Sequence, residues 1–187
     1  GQGYTQTTPL QLCLMTAQIA NGGYKIKPRI LVNNKPLSLE QAKNSMKVDS
    51  LHSPNLKLFD DPKNIKTVQE AIFSSTNEIY GTSYKSRIDD PKYQFAGKTG
   101  TSQVKRISKR ERELDLKLEQ IPYKDRDHAL YVAYGPYKNP RYALSIIVEH
   151  GGSGSKTAAP MAKELFKLII DRDELRKKQS NFEDINI

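Results

Sequence analysis

Only one cysteine, Cys13, occurs in the 187 residues, which excludes an internal disulfide and a cysteine-based zinc cluster. No run of 18 or more apolar residues is present, so the sequence holds no membrane-spanning helix of ordinary length. Gly1-Gln2-Gly3-Tyr4 lacks the basic start and apolar middle of a secretory leader. The lack of an initiator methionine leads us to expect a mature or truncated product. Zinc-finger spacing, an aromatic RNA-binding signature and internal repeats are all missing.

What remains is an ordinary globular composition. Apolar residues make up 36% of the chain, mean hydropathy is −0.68, and the length suffices to bury a core. The net charge of +9 is spread among interleaved acids. A solvated basic surface is therefore expected rather than a nucleic-acid interface, and no nucleic-acid partner is predicted. Cys13 sits in an apolar helical pattern and is expected to be a buried structural thiol.

Thr8-Pro9-Leu10-Gln11 combines an N-cap, a proline at the first helical position and a capping-box glutamine. The helix it starts is apolar nearly all round, predicting a central buried element that ends at Asn21-Gly22-Gly23. Tyr24 to Val32 reads as a strand or extended segment, interrupted at Pro28 and so placed at an edge. Asn33 to Asp61 reads as a long loop with one short helix around Leu39 to Met46. Asp61-Pro62 opens a second helix with Ile65, Val68, Ala71, Ile72 and Ile79 near one face, broken by Gly81-Thr82.

A strand is predicted from Tyr93 to Gln103. A charged excursion follows from Lys105 to Asp127, with an exposed helix from Lys109 to Leu118. Two β-rich runs, His128 to Gly135 and Arg141 to His150, form a hairpin about the turn from Pro136 to Pro140. Gly151 to Ser155 reads as a flexible loop. An amphipathic helix runs from Thr157 to about Lys177, and residues 179–187 read as a frayed tail. The fold class is α/β of the α+β type: an antiparallel sheet flanked by helices.

The central stretch is Gly97-Lys98-Thr99-Gly100-Thr101. It places a lysine and two hydroxyls around a glycine on a strand, where the backbone of an extended peptide could lie close. His128 and His150 have no ligand-spaced partners and are assigned structural polar roles, as are Asp127 and Glu149. Tyr80, Tyr84 and Tyr93 are assigned to packing. No metal or cofactor is expected.

K-T-G is one of the motifs of penicillin-binding proteins and β-lactamases, alongside S-x-x-K and S-D-N. Around it, Gly1-Gln2-Gly3-Tyr4, Thr8-Pro9-Leu10-Gln11-Leu12, Ala20-Asn21-Gly22-Gly23 and Ala96-Gly97-Lys98-Thr99-Gly100-Thr101-Ser102-Gln103 resemble blocks of one family. So do Asp127-His128-Ala129-Leu130, Pro140-Arg141-Tyr142-Ala143, Glu149-His150-Gly151-Gly152 and Ala158-Ala159-Pro160. That family is the transpeptidase domain of class B penicillin-binding proteins, and the string is most similar to its cell-elongation subclass.

The resemblance implies a β-lactamase/transpeptidase-like fold, incomplete here, with residues 1–178 as the C-terminal part of the domain. It implies a serine D,D-transpeptidase acting on D-Ala-D-Ala stem peptides of peptidoglycan and acylated by β-lactams. Lys98, Thr99, Gly100, Thr101 and Ser102 carry over as substrate-binding residues. Lys98 and Thr101 carry over as catalytic ones, Lys98 beside the proton-relay serine and Thr101 through its backbone N–H at the oxyanion. The parent would be anchored in the bacterial inner membrane by a segment absent here. Its catalytic domain would face the periplasm, and its partners would be a glycan polymerase and elongation-machinery proteins.

The family's S-x-x-K and S-x-N motifs precede the G-Q-G-Y block and are not in this sequence. Ser102-Gln103-Val104-Lys105, Ser153-Gly154-Ser155-Lys156, Ser53-Pro54-Asn55 and Ser75-Thr76-Asn77 match formally and are read as accidental. An S-x-x-K pair needs a helical turn to set lysine beneath serine. Three alternatives stand beside this reading: a carboxypeptidase or β-lactamase of the same fold, a non-catalytic β-lactam-sensing or scaffold module, and, last, a basic nucleic-acid binder.

Overall fold

The structure, a computed structural model, describes residues 5–28, 56–105 and 116–185, with side chains through residue 176. Three helices and three strands occur among them in the predicted order: α1 (Pro9–Ala20), α2 (Pro62–Asn77), β1 (Ala96–Ser102), β2 (His128–Gly135), β3 (Tyr142–Val148) and α3 (Ala159–Ile185). Both early helices start as their residues dictate. Thr8 Oγ1 accepts the Gln11 N–H at 3.2 Å while Gln11 Oε1 accepts the Thr8 N–H at 2.8 Å. Asp61 Oδ1 accepts the Lys63 N–H at 2.8 Å.

The strands form an antiparallel sheet in the order β1-β2-β3, with Lys98 opposite Val132 and Val132 opposite Ser145. This register assigns every side chain to a face. One face carries Gly97, Thr99 and Thr101 with Ala129, Tyr131 and Ala133, then Leu144, Ile146 and Val148. It packs on Ala158, Ala159, Ala162, Phe166 and Ile170 at the start of α3. Phe95 stacks on Phe166 at 4.9 Å and meets Tyr131 edge-on at 6.5 Å. The other face carries Lys98, Gly100 and Ser102 with His128, Leu130 and Val132. α1 covers its β3 side, where the Cys13 thiol reaches the Ala143 carbonyl at 3.5 Å.

Several expectations are corrected. α1 is not wrapped on all sides: Leu10 is 60% exposed, Met15 44%, and Thr16 is its one buried residue. The sheet covers one side of this helix, and no described element covers the opposite one. Cys13 is accordingly half-buried, and burial pushes its thiol pKa up. Of the stretch read as a strand or extended segment, Tyr24 forms a single bridge with Lys57, and residues 29–32 lie outside the described residues. The short helix expected around Leu39 to Met46 lies outside them too, as does most of that expected from Lys109; Leu118–Gln120 is one tight turn. Ile79 falls beyond α2 and is exposed.

β1 begins at Ala96 rather than Tyr93, because Asp90 turns the chain there. Its side chain accepts the Lys92 N–H and its carbonyl accepts the Tyr93 N–H. The glycine stretch after β3 is not loose. Gly154–Ala158 is a single wide helical turn, and a Cβ on Gly154 would stand 2.5 Å from the Leu130 carbonyl and 2.8 Å from the Gly100 carbonyl. Glycine is there for close approach. α3 runs on to Ile185, through the stretch expected to fray from residue 179.

An ionic latch holds the turn before β1 to α3. Tyr93 Oη donates to Asp171 at 2.6 Å, and the Lys92 ammonium meets Asp171 at 3.1 Å and Glu174 at 2.9 Å. The Tyr93 hydrogen bond first, and Lys92 second, hold the Asp171 carboxyl below its ordinary value. A depressed carboxyl contributes stability above its unfolded pKa and loses that contribution as pH falls through the folded one. Asp171→Asn is therefore expected to lower the melting temperature slightly at neutral pH. The gap from the unaltered protein should close as pH drops below about 3.9; a gap that persists in acid would show that charge is not its source.

Candidate active-site wall

β1 is an edge strand whose far side is partly taken by α2. In an antiparallel ladder, the N–H and C=O of alternate residues point away from the partner strand. Gly97 is one such residue: its N–H donates to Thr76 Oγ1 at 3.0 Å, and its carbonyl accepts from the same hydroxyl at 3.0 Å. Thr99 and Thr101 share the parity of Gly97, so their N–H and C=O groups face the same open edge. The Thr99 carbonyl is reached there by the Lys98 ammonium at 3.1 Å. From Thr99 onward the strand can accept a further extended chain.

Four polar groups fix the base of this edge. Thr76 and Ser83 are buried, as is Tyr131, whose Oη lies 2.9 Å from Thr76 Oγ1 and 3.0 Å from Ser83 Oγ. Ser83 Oγ donates to the Ser75 carbonyl at 3.0 Å. Thr76 gives its proton to Gly97, so Tyr131 supplies the proton between the remaining oxygens, and each group is satisfied. Burial pushes the Tyr131 pKa up, opposed by its hydrogen bonds with Ser83 and Thr76. The phenol is thus a neutral donor. Asn77 Nδ2 donates to the carbonyls of Phe73 and Phe95 at 3.0 and 2.9 Å. The formal S-x-N match at Ser75 to Asn77 is therefore a strand anchor. Sequence reading missed Thr76, Ser83 and Tyr131, because hydroxyls 55 positions apart carry no periodic signal.

A groove of about 530 Å³ opens on the α1 face of the sheet. Its walls are Thr5 to Thr7 and Leu12 on one side and β1 from Lys98 to Gln103 on the other, over a floor that includes Leu130 and Val132. Among the described residues no Asp or Glu lines it. All five predicted site residues, Lys98, Thr99, Gly100, Thr101 and Ser102, line this one space. The Lys98 ammonium donates to Thr99 Oγ1 at 3.2 Å as well as to the Thr99 carbonyl. A cation, hydroxyls and outward main-chain donors without carboxylates suit an anionic, extended ligand.

The formal S-x-x-K matches lie in two different settings, Ser102 to Lys105 at the end of β1 and Ser153 to Lys156 at the turn Gly154–Ala158. Lys105 is 3.2 Å from Asp125, and Ser102 sits at the end of β1 rather than on a helical turn above Lys105. Ser153 Oγ is 3.1 Å from Ser155 Oγ. Ser53 to Asn55 lie outside the described residues. His128 and His150 hold each other: the His150 N–H donates to His128 Nδ1 at 2.9 Å, and His150 Nδ1 is 3.0 Å from the Arg126 carbonyl. His128 also lines the groove. Tyr80 is exposed, while Tyr84 lies under the Arg87 guanidinium at 4.0 Å. Among the described residues no group of three or more His, Cys, Asp or Glu could hold a metal ion, and no helix is long and apolar enough to cross a membrane.

Residues 1–167 match the penicillin binding protein transpeptidase domain. Peptidoglycan D,D-transpeptidase MrdA of Salmonella typhimurium is 33% identical over 175 residues, which is 91% of this chain and 26% of that protein. Penicillin-binding protein 2 of Helicobacter pylori, solved in complex with MreC, superposes with a TM-score of 0.64 at 28% identity, over 91% of this chain and 26% of that one. Pseudomonas aeruginosa PBP2 in complex with WCK 5153 superposes with a TM-score of 0.64 at 32% identity, over 90% of this chain and 31% of that one. The chain thus spans about a quarter of the length of the curated relative (26%) and similar shares of the solved structures. With the family matched over residues 1–167 and relatives at 28–33% identity across nine-tenths of its length, the chain belongs to the penicillin-binding protein transpeptidase family, with relatives of the PBP2 type.

Proposed function

We propose that this chain is the K-T-G wall of a serine D,D-transpeptidase that cross-links peptidoglycan stem peptides. The observation that carries the reading is the open edge of β1 from Thr99 to Thr101, beside Lys98 and a groove that no carboxylate lines among the described residues. A stem peptide ending in D-Ala-D-Ala lies along that edge as an added strand. Lys98 supplies positive potential for its terminal carboxylate and positions the relay serine. The Thr99 and Thr101 hydroxyls donate to that carboxylate, Gly100 leaves room for the peptide backbone, and Ser102 closes the binding strand.

The nucleophilic serine belongs to a part of the protein outside this sequence. Its oxygen attacks the penultimate D-Ala carbonyl, and the oxyanion forms opposite the Thr101 N–H and the nucleophile's own N–H. The C–N bond then breaks, terminal D-Ala leaves with the proton on its amine, and an acceptor amine takes the acyl group and frees the serine. β-Lactams acylate the same serine. The unpaired outer edge of β3 among the described residues, and the exposed Met161, Leu165 and Leu168 on α3, support completion of the domain by further chain. The family resemblance leads us to add a membrane anchor, a periplasmic active site and a glycan polymerase partner, and the MreC complex of the Helicobacter pylori relative supports an elongation-protein partner.

Fluorescent penicillin tests the reading. The whole protein is expected to label covalently and stoichiometrically, and the 187-residue chain alone not at all. Labelling of the chain alone would place a nucleophile within it; failure of the whole protein to label would remove the transpeptidase reading.

A further inference from the structure

We propose that Thr82, in the turn after α2, is a positioning residue for the anionic end of the ligand on β1, acting through the Thr99 hydroxyl; this rests on the transpeptidase reading. Ser75 Oγ lies 3.3 Å from Thr82 Oγ1, and Thr82 Oγ1 lies 3.3 Å from Thr99 Oγ1. The row ends at Lys98, whose ammonium donates to Thr99 Oγ1 at 3.2 Å. A lysine ammonium has no lone pair, so that bond has one direction, whereas each hydroxyl has one proton and can face either neighbour.

The row therefore has two settings. With no ligand, Thr99 gives its proton to Thr82 and Thr82 gives its own to Ser75. With a carboxylate beside Thr99, the row reverses: Ser75 donates to Thr82, Thr82 to Thr99, and Thr99 to the anion. In that setting Thr99 accepts from Lys98 and Thr82 together, and each donor polarises the next. A ligand without an anionic group has no such acceptor and gains little from the reversal.

The backbone on both sides of Thr82 is fixed independently of its side chain. A Cβ on Gly81 would stand 2.4 Å from the Ser75 carbonyl, so the turn folds tightly back onto α2. The Ser83 N–H donates to that same carbonyl at 3.0 Å. Thr82 itself is exposed. Removing its hydroxyl should change the hydrogen-bond row and leave the fold alone.

The test uses Thr82→Val and Thr82→Ser in the whole protein, reading the second-order acylation rate constant for benzylpenicillin and for its methyl ester. For Thr82→Val, the constant for the free acid is expected to fall roughly five- to tenfold and that for the ester by less than about twofold. Thr82→Ser should match the unaltered protein, and all three should melt alike. A Thr82→Val protein with an unchanged constant for the acid overturns the proposal. So does an equal loss for acid and ester, which would mean that Thr82 acts on strand geometry rather than on the anion. Failure of the unaltered protein to react with either compound overturns the transpeptidase reading, and the role of Thr82 with it.

Discussion

Replacing Gly97 with Ala is expected to destabilise the protein by about 3 kcal/mol or more, a loss at the upper end for overpacking a core. A Cβ at Gly97 would stand 2.4 Å from Tyr131 Oη, 2.5 Å from Cζ and 2.6 Å from Cε1. The ring cannot move aside at low cost. It is fully buried, Phe95 packs against it, and its hydroxyl is held by Thr76 and Ser83. Swinging the ring would also break the hydrogen bond that its hydroxyl gives to the Thr76 and Ser83 oxygens, adding about 1 kcal/mol. Tyr131→Phe should not rescue Gly97→Ala, because Cζ and Cε1 still collide. Tyr131→Leu should recover part of the loss, visible as coupling in a double-mutant cycle of urea midpoints. A Gly97→Ala protein with an unchanged midpoint would show that the ring and strand can separate freely.

Thr101→Pro is expected to lower the acylation rate of the whole enzyme by roughly 10²- to 10³-fold while the protein stays folded. Thr101 has the parity of Gly97, so its N–H points away from β2 and toward the open edge. Proline there removes no bond of the β1–β2 ladder, and edge strands accept proline in that orientation. What it removes is the main-chain donor opposite the developing oxyanion. Thr101→Val separates the two contributions of this residue. It keeps the N–H and loses only the hydroxyl, so its acylation rate should fall by no more than roughly tenfold. If the proline variant acylates as fast as the valine variant, the Thr101 N–H is not an oxyanion donor.

The two substitutions act on different properties of one strand. Gly97 lies where β1 is pinned from both sides, by Tyr131 and by Thr76. Thr101 lies where the edge is open. A pinned base and an open end make the strand a rigid template, which catalysis by positioned main-chain donors requires.

Much of this was legible in the residues themselves. Capping residues at Thr8 and Asp61 fixed two helix starts, since a cap is a local hydrogen bond. Alternation and turn residues located β2 and β3, and the K-T-G stretch with its flanking blocks pointed to the family and to Lys98 through Ser102. Most of the misreadings share one cause. Whether α1 is covered all round and whether Gly154 is flexible or tightly packed depend on what stands opposite in space, whereas the late start of β1 is a local turn at Asp90. Leu10 and Met15 satisfy a helical pattern equally well whether or not anything covers them.

The amino-acid sequence by itself determined the order of elements, the family and the chemistry available on β1. Tertiary structure alone decided which edge of the sheet is open and where that opening starts. It brought Thr76, Ser83 and Tyr131 to Gly97, and Ser75 and Thr82 to Thr99. The physical reason is that local patterns report hydrogen bonds and faces within a few residues. A hydroxyl's role is set by the distant lone pair or proton that folding places about 3 Å away.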